Sequence, residues 1–272
     1  MTKRSSTLSR TVRALPTLLR VGVAETVAYR AEFIVWILTT TQPLIMMSLW
    51  TSVAHGGSFK GYDADAFIAY YLATLLVRQL TGNWVAWQMM EEIRMGTMAM
   101  RLLRPIHPFV TYMASHLAAL PFRSIIAAPL VVILLITSAS GGITHDAVQL
   151  SVLPLAIAMA WLITFAILFA IGALAFFLTQ TTAISTLYFG LFSLFSGYLL
   201  PLDLLPAPIA KVAAVLPFRF TLAMPVELIT HTLPHAQLAH LLAAQAAWTA
   251  GLVAFAVWIW NAGVRRFEAV GT

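Results

Sequence analysis

The clearest ionised side chain inside a long apolar segment is Arg78, within residues 66–90. On a continuous helix, four polar residues share its face within an arc of roughly 100°. These residues are Tyr71, Thr74, Thr81 and Gln88. Because a charge in the bilayer centre is energetically costly, this stripe is expected to face protein or water. It predicts either a polar path in which Arg78 meets a polar or anionic group, or a structural arginine that bonds carbonyls of a neighbouring helix.

Motifs typical of enzymes are missing from the sequence. None of the three lysines follows a GxxxxG pattern, and neither HExxH nor GxSxG occurs, so no ATP-binding loop or hydrolase motif is present. His231 and His235 could share a helix face, but Pro234 between them favours solvated loop histidines over a metal site. The chain has no cysteine, which excludes disulfide and thiol chemistry. We therefore expect no catalytic residue, metal or cofactor on this chain.

The composition is that of an integral membrane protein. Of 272 residues, 60% are hydrophobic and 10% are charged, against roughly 25% charged in soluble domains. No charge occurs from Phe33 to Phe59 or from Ala147 to Leu202, whereas one helical crossing needs about 20 apolar residues. The run VLPLAIAMAWLITFAILFAIGALAFFL shows no alternation of polarity, which argues against a β-barrel. The sequence predicts an all-α polytopic membrane protein.

Charges, prolines and glycines divide the chain into six predicted spans. These lie near residues 33–54, 66–90, 108–139, 150–178, 183–200 and 241–263. Six crossings put both termini on one side, and basic residues are concentrated before the first span, after the second and at the C-terminus. The positive-inside rule assigns that side to the cytoplasm. The expected divisions are a cytoplasmic N-terminus (1–32), a transmembrane domain (33–264) and a cytoplasmic tail (265–272).

The N-terminal segment contains an amphipathic pattern. Val12, Leu15, Leu19 and Val23 recur at helical spacing, with arginines on the other side. This is typical of a helix in the inner interface whose arginines face anionic headgroups, so membrane lipids are expected partners. The helix could serve only as an anchor or could also contact a cytoplasmic partner. The net charge of +6 is attributed to juxtamembrane arginines, and no nucleic-acid partner is expected.

The second connection, EEIRMGTMAMRLLRP, is a candidate docking segment over residues 91–105. Gly96 is expected to stop the preceding helix and Thr97 to cap a short new one, which Pro105 ends. Methionines suit adaptable protein contacts. The alternative is a solvated juxtamembrane turn. The candidate contact residues are Glu91, Glu92, Ile93, Arg94, Met95, Gly96, Thr97, Met98, Arg101, Leu102, Leu103, Arg104 and Pro105.

Two further features lie near the opposite side. Gly190, Ser193 and Gly197 recur at helical steps in the fifth span, which predicts close helix or subunit contact, or ordinary packing within the monomer. Residues 201–236 are rich in proline yet apolar. Irregular backbone at membrane depth must be buried in protein or line a cavity, so this segment is expected to form short re-entrant helices. It could be an external gate or an inert packed loop.

Three segments, IRMGTMAMRLLRP, SGYLLPLDLLP and the terminal GVRRFEAVGT, resemble motifs of one known family, the ABC-2 type ABC transporter permeases. The first is similar to the family's first cytoplasmic coupling segment, and the second to its motif at the end of span five. The terminal GVRRFEAVGT is similar to the tail of a six-span bacterial subgroup. The resemblance covers essentially the whole chain, and the motifs stand in the family's order.

The resemblance implies a permease subunit of an ATP-driven exporter in the bacterial inner membrane. Two separate cytoplasmic ATPase subunits would bind ATP and Mg, and residues 91–105 would dock on them. A second permease, identical or paralogous, would complete the path, and lipids, drugs, glycans or peptides would be the cargo. The loop at 201–236 would form the outer gate. Its implied gate residues are Pro201, Leu202, Leu205, Pro206 and Pro217.

Two other functions stay open on the residues alone. A self-sufficient secondary transporter would contain inverted repeats with broken helices near the midplane, and no convincing internal repeat is found. A membrane-embedded lipid-modifying enzyme could use His231, His235 or Glu227, although no motif brings them together.

Overall fold

The computed structural model describes residues 7–28, 41–137, 143–178 and 181–270, and the regular secondary structure in these ranges is helical. This agrees with the predicted all-α class. The α-helices are α1 (Thr7–Ala28), α2 (Thr41–Ala54), α3 (Ala64–Thr81), α4 (Val85–Arg94), α5 (Met98–Leu102), α6 (Pro108–Ala118), α7 (Leu120–Thr137), α8 (Ala147–Ala173), α9 (Thr182–Phe195), α10 (Ala207–Val215), α11 (Pro217–Thr221), α12 (Ala223–Thr230) and α13 (His235–Val270). Short 3-10 turns cover Leu174–Phe176 and Leu202–Leu204.

Helix α8 is the centre of the bundle. It packs against α3, α4, α11, α12 and α13. Its second half is buried on nearly all sides, as expected of a helix that is apolar all round. Phe165 stacks on Trp161 with ring centroids 5.0 Å apart, and Phe169 lies 5.4 Å from Trp260 of α13. The fourth predicted span, 150–178, is thus a helix close to its predicted bounds.

Two helices in the described part of the chain are long and apolar enough to cross a bilayer. They cover Ala147–Phe176 and His235–Arg266. The other predicted spans consist of shorter helices. The start of the first predicted span, 33–40, lies outside the described residues, and α2 forms the remainder. The predicted N-terminal helix is present as α1, which packs against α6.

The ends of the bundle hold different elements. Trp260, near the C-terminal end of α13, lies 6.2 Å from His107, which precedes α6 and follows the segment 91–105. At the other end, His235 begins α13 and contacts Asp146 at the start of α8. The predicted docking segment and the C-terminal end of α13 therefore share one end of the molecule, opposite residues 201–236.

The second predicted span is not one helix. Helix α3 ends at Thr81 and α4 begins at Val85, with Gly82, Asn83 and Trp84 between them. Gly82 is extended (ψ 142°), although its N–H still donates to the Arg78 carbonyl at 3.0 Å. Glycine and asparagine are poor helix formers, which permits the break. The continuous helix predicted over 66–90 is wrong, and the single arc that joined Gln88 to Tyr71 is lost with it.

Two other spans also differ from prediction. The third span, predicted over 108–139, is divided into α6 and α7 at Ala119. The fifth, predicted over 183–200, ends at Phe195, and residues 196–200 form a turn. Gly197 is therefore outside the helix that carries Gly190 and Ser193, and these residues do not form one stripe.

The turn after α9 is held by aromatic side chains of the first two spans. Tyr70 donates to the Gly197 carbonyl at 2.6 Å. Tyr71 and Trp50 both donate to the Leu199 carbonyl, at 2.7 and 3.2 Å. Gly197 has φ +84°, and a Cβ there would stand 2.5 Å from the Tyr70 hydroxyl. The turn therefore requires glycine for its backbone conformation and for the close approach of Tyr70.

Replacing Gly197 by alanine should destabilise the protein, whereas replacing Gly190 by alanine should not. Gly197→Ala should destabilise the protein by about 2 kcal/mol because the left-handed backbone and the Tyr70 contact disfavour a side chain. Gly190→Ala, in helix α9 with open space around it, should be neutral or stabilising by up to about 1 kcal/mol. Thermal unfolding of both variants in one detergent measures the difference. Equal melting temperatures would contradict the packing assigned to Gly197.

Candidate functional site

The predicted docking segment begins with a glycine turn. Helix α4 ends at Arg94, and Gly96 has φ +73°, the left-handed conformation common after a helix. The Met95 N–H donates to the Glu91 carbonyl at 2.9 Å. Thr97 precedes α5 as predicted, but its side chain does not cap that helix; its hydroxyl donates to the Glu92 carbonyl at 3.3 Å. The predicted side-chain cap is wrong because the Thr97 hydroxyl bonds a carbonyl in the last turn of α4 instead of an N–H of α5.

A partly buried ionic cluster forms the base of the segment. Arg101 donates to both carboxylate oxygens of Glu92, at 2.7 and 2.6 Å. Tyr112 of α6 donates to Glu92 at 2.6 Å, and the Arg101 guanidinium lies 3.9 Å from the centre of the Tyr112 ring. Arg101 also donates to the Thr111 hydroxyl at 3.3 Å. Bidentate pairing of this kind fixes orientation as well as distance, so α4, α5 and α6 are held together.

The exposed side of the segment carries side chains that do not belong to the ionic cluster. Met98 is fully buried, whereas Met95, Met100 and Leu103 are 64%, 69% and 79% exposed. Arg94 pairs with Glu91 at 2.7 Å on the surface. Arg104 and Pro105 are also exposed, and Ile93 and Leu102 are partly buried. The fifteen residues therefore form a supported base and an outward apolar surface that is flanked by arginines.

Sequence reasoning identified the segment but missed part of its support. Thr111 and Tyr112 were not candidates because they lie in the next predicted span. Nothing in their local pattern indicates that they meet Glu92 and Arg101. The Arg101 side chain points into the bundle because it contacts Glu92 and Thr111 on either side of the turn.

The predicted polar stripe of the second span does not form one open surface. Tyr71, Thr74 and Thr81 are buried within the subunit. Gln88, beyond the break, donates to Glu92 at 3.3 Å and so belongs with the ionic cluster. Arg78 is partly exposed, and its guanidinium lies 5.1 Å from the Phe192 ring centre and 5.9 Å from that of Tyr198. Arg78 therefore faces the end of α9.

Arg123 is a buried arginine to which the sequence assigned no role. It lies in α7 and is 2% exposed. Its guanidinium donates to the Gly82 carbonyl and lies 4.9 Å from the Trp84 ring centre. It therefore contacts the backbone at the break between α3 and α4. The only sequence signal was an arginine inside a predicted span.

Residues 201–236 form short helices, as predicted. Leu202 and Leu205 are buried with Ala213 and Ala223 in a small core of their own. Pro206 precedes α10 and Pro217 begins α11, positions where proline is compatible with a helix start. Pro201 is buried and precedes the 3-10 turn. We call this unit, residues 201–230, the outer cap.

Polar contacts hold the outer cap together and fix it to the adjoining chain. Arg219 pairs with Glu227 at 2.8 Å within the cap, and Lys60, outside it, donates to the Leu204 carbonyl at 3.2 Å. The turn at 60–62, Asp203 and His231 border a cavity of about 240 Å³. His231 is partly buried, which lowers its pKa, and Asp203 opposes the shift.

The start of α8 is fixed to the start of α13. Asp146 accepts a hydrogen bond from the Gln149 N–H at 2.8 Å and contacts the His235 ring nitrogen at 3.0 Å. The Gln149 bond and the His235 contact hold the pKa of Asp146 below its ordinary value. His235 thus contacts Asp146, the N-cap residue of α8. The residues that the structure describes contain no cluster of His, Cys, Asp and Glu that could hold a metal.

The described residues form a helical bundle in which two helices are long and apolar enough to cross a bilayer. A family model described as "ABC-2 family transporter protein" matches residues 37–271, and the chain therefore belongs to the ABC-2 transporter family. No curated protein matches the chain by sequence. The resemblance stated from three motifs is confirmed at the level of the family.

Removing Arg101 should affect stability far more than removing Arg94. Arg101→Ala leaves the Glu92 carboxylate partly buried without its bidentate partner, which should cost about 3 kcal/mol. Arg94→Ala removes an exposed pair three residues apart and should cost less than about 0.5 kcal/mol. Thermal unfolding of the purified variants compares them. Similar losses in the two variants would show that the Glu92 cluster does not support the segment.

Proposed function

We propose that this chain is the permease subunit of an ATP-driven exporter in the bacterial inner membrane. It forms the translocation path with a second permease, either a copy of itself or a paralogue. Two cytoplasmic ATPase subunits, which bind ATP and Mg, dock on the segment Glu91–Pro105. Family membership supports the transporter role, and the segment's geometry supports the docking role.

The observation that carries the docking role is the division of the segment into a fixed base and an exposed surface. Leu103, Met100 and Met95 are strongly exposed although they are apolar. Exposed apolar patches with polar rims are typical of protein contacts, and methionine adapts to partner surfaces. A displacement of this surface by a bound partner would be transmitted through the ionic cluster, to α6 by Tyr112 and to α4 by Glu92.

The rest of the arrangement follows from the two ends of the bundle. The end with the docking segment and the C-terminal end of α13 faces the cytoplasm, in agreement with its arginines, and six spans put both termini there. The outer cap faces the other side and acts as the gate, with Leu202 and Leu205 in its core. The apolar bundle suits amphiphilic cargo such as a lipid or a drug.

Docking is tested by co-expressing the permease with a candidate ABC ATPase subunit. Leu103→Asp should abolish co-purification and permease-dependent ATP hydrolysis, because it places a charge in the centre of the exposed apolar surface. Val148→Asp is the matched control. Val148 is also exposed, and the first turn of α8 tolerates an acid. Pull-down yield and phosphate release measure the two effects.

The outcomes separate the proposed function from its alternatives. Wild-type yield and ATP hydrolysis in Leu103→Asp, with Val148→Asp unchanged, would contradict docking at this surface. Transport by the purified permease without any ATPase would favour a secondary transporter instead. The Gly96→Pro variant provides a second test, since proline cannot adopt the positive φ of this turn, and it should also lose co-purification.

A further inference from the structure

The cavity of about 240 Å³ beside the outer cap is bordered by three separate segments of the chain. Lys60 and Tyr62 belong to the connection between α2 and α3, Asp203 to the 3-10 turn at the start of the cap, and His231 follows α12. At about 30 Å³ for each water molecule in the liquid, the cavity has room for a group of about eight non-hydrogen atoms. A small polar ligand in it would contact all three segments.

Lys60 stands at the tip of a tight backbone turn. Phe59 and Tyr62 exchange two backbone hydrogen bonds, at 2.9 and 3.0 Å, so Lys60 and Gly61 form a two-residue turn with φ +49° and +90°. A left-handed backbone at a lysine costs about 1 kcal/mol, and strained residues of this kind are concentrated at functional sites. The Lys60 ammonium donates to the Leu204 carbonyl at 3.2 Å, which leaves its other N–H groups for a ligand.

Two opposite charges border the cavity without neutralising each other. Lys60 and Asp203 are both exposed. Within the described ranges neither of them forms an ion pair, so more than 4.0 Å separates the Lys60 nitrogen from the Asp203 carboxylate oxygens. Asp203 would repel a simple anion and Lys60 a simple cation. A ligand that carries both charges on adjacent groups fits this arrangement.

His231 adds a hydrogen-bond acceptor to the same cavity. The Thr230 hydroxyl has one proton and donates it to the Val226 carbonyl at 3.0 Å. The His231 Nδ1 atom, 2.8 Å from that hydroxyl, must therefore be the donor in their contact. Nε2 is then the acceptor of the neutral ring, and partial burial favours the neutral ring by lowering the pKa of His231.

The acceptors favour a primary ammonium over a quaternary one. The Asp203 carboxylate and the neutral His231 ring both accept hydrogen bonds, and the Tyr62 hydroxyl lies beside Asp203. A primary ammonium carries N–H groups that can donate to such acceptors, whereas a quaternary ammonium carries none. The cavity therefore distinguishes amines that have the same charge by their ability to donate.

We propose that this cavity binds a zwitterionic amine, whose primary ammonium contacts Asp203 and His231 and whose phosphate or carboxylate contacts Lys60. The headgroup of an ethanolamine phospholipid and a soluble molecule with the same two groups share this chemistry. The bound group connects the turn at 59–62, the outer cap and the end of α12. The inference goes beyond the proposed function, because it concerns a ligand of the outer cap and requires neither the ATPase nor the docking segment.

The test uses the purified full-length permease in a neutral detergent. Dioleoyl phosphatidylethanolamine is added, and its affinity is read from the rise in melting temperature. Asp203→Asn should weaken binding about tenfold, the loss expected for one charge-assisted contact. Lys60→Gln should weaken it about threefold, because water screens the exposed ammonium. Lys211→Gln, which removes an exposed lysine of α10 that does not border the cavity, is the control and should bind as wild type.

A second probe separates the two sources of the ligand. Free phosphoethanolamine is added to the same permease in place of the lipid. Stabilisation by both probes, weakened in Asp203→Asn, would show that the headgroup alone is recognised, as a soluble ligand requires. Stabilisation by the lipid alone, weakened in the same variant, would assign the cavity to a lipid headgroup.

Four results would overturn the proposal. The first is the absence of stabilisation by either probe. The second is wild-type affinity in both Asp203→Asn and Lys60→Gln, which would place the binding elsewhere. The third is an equal loss in Lys211→Gln, which would indicate a general effect of charge. The fourth is equal stabilisation by dioleoyl phosphatidylcholine, which has no N–H donor, or by dioleoyl phosphatidylglycerol, which has no amine.

Failure of this site is distinguishable from failure of the proposed function, because the binding assay contains no ATPase. A permease that co-purifies with the ATPase but binds neither probe would retain the docking role and lose the zwitterion site. Binding of a probe without co-purification would have the opposite meaning.

Discussion

A backbone carbonyl released by the end of a helix inside an apolar bundle must find a donor within the protein. Water is not present in a bilayer to satisfy it, and an unmade bond there costs several kcal/mol. The Gly82 carbonyl is in that position, and Arg123 of α7 donates to it. This contact joins the second and third spans at the point where the chain changes direction. The positions of α4 and of the segment 91–105 that follows it depend on this contact.

The proposed docking segment, residues 91–105, is the main element that depends on this change of direction. Helix α4 packs on α8, ends at Arg94 and is followed by the left-handed Gly96. The Glu92 carboxylate accepts hydrogen bonds from Arg101 and Tyr112, so the segment is attached to both the second and the third span. A short helix of five residues would be marginal by itself in water. Its shape comes from the cluster beneath it, which leaves its exposed side chains available for contact.

The sequence predicted those features that depend on long patterns or on strong local signals. Helix α8 was located by a run of apolar residues, and the turn at Gly96 by a glycine between two charged stretches. The break at Gly82 and Asn83 was missed because a glycine inside a helical pattern is tolerated at a cost of about 1 kcal/mol relative to alanine, so it does not by itself indicate a helix end. The direction of Arg101 and the role of Arg123 depend on partners in other spans, which spacing along the chain does not reveal.

Gly197 was predicted as a packing residue on a helix face, but it lies in the turn beyond the helix. Small residues at helical steps indicate close approach without specifying the neighbour. Here the neighbour is a tyrosine hydroxyl, and the backbone conformation of the glycine matters as much as its size.

The hydrogen bonds from Trp50, Tyr70 and Tyr71 also restrict how the protein could move. They attach the end of α9, where the outer cap begins, to α2 and α3 of the same subunit. These helices and the cap would therefore shift as a single rigid body. Under the proposed function, release of cargo to the outside would then come from separation of two such bodies along the interface between permeases, while the contacts inside each subunit stay intact.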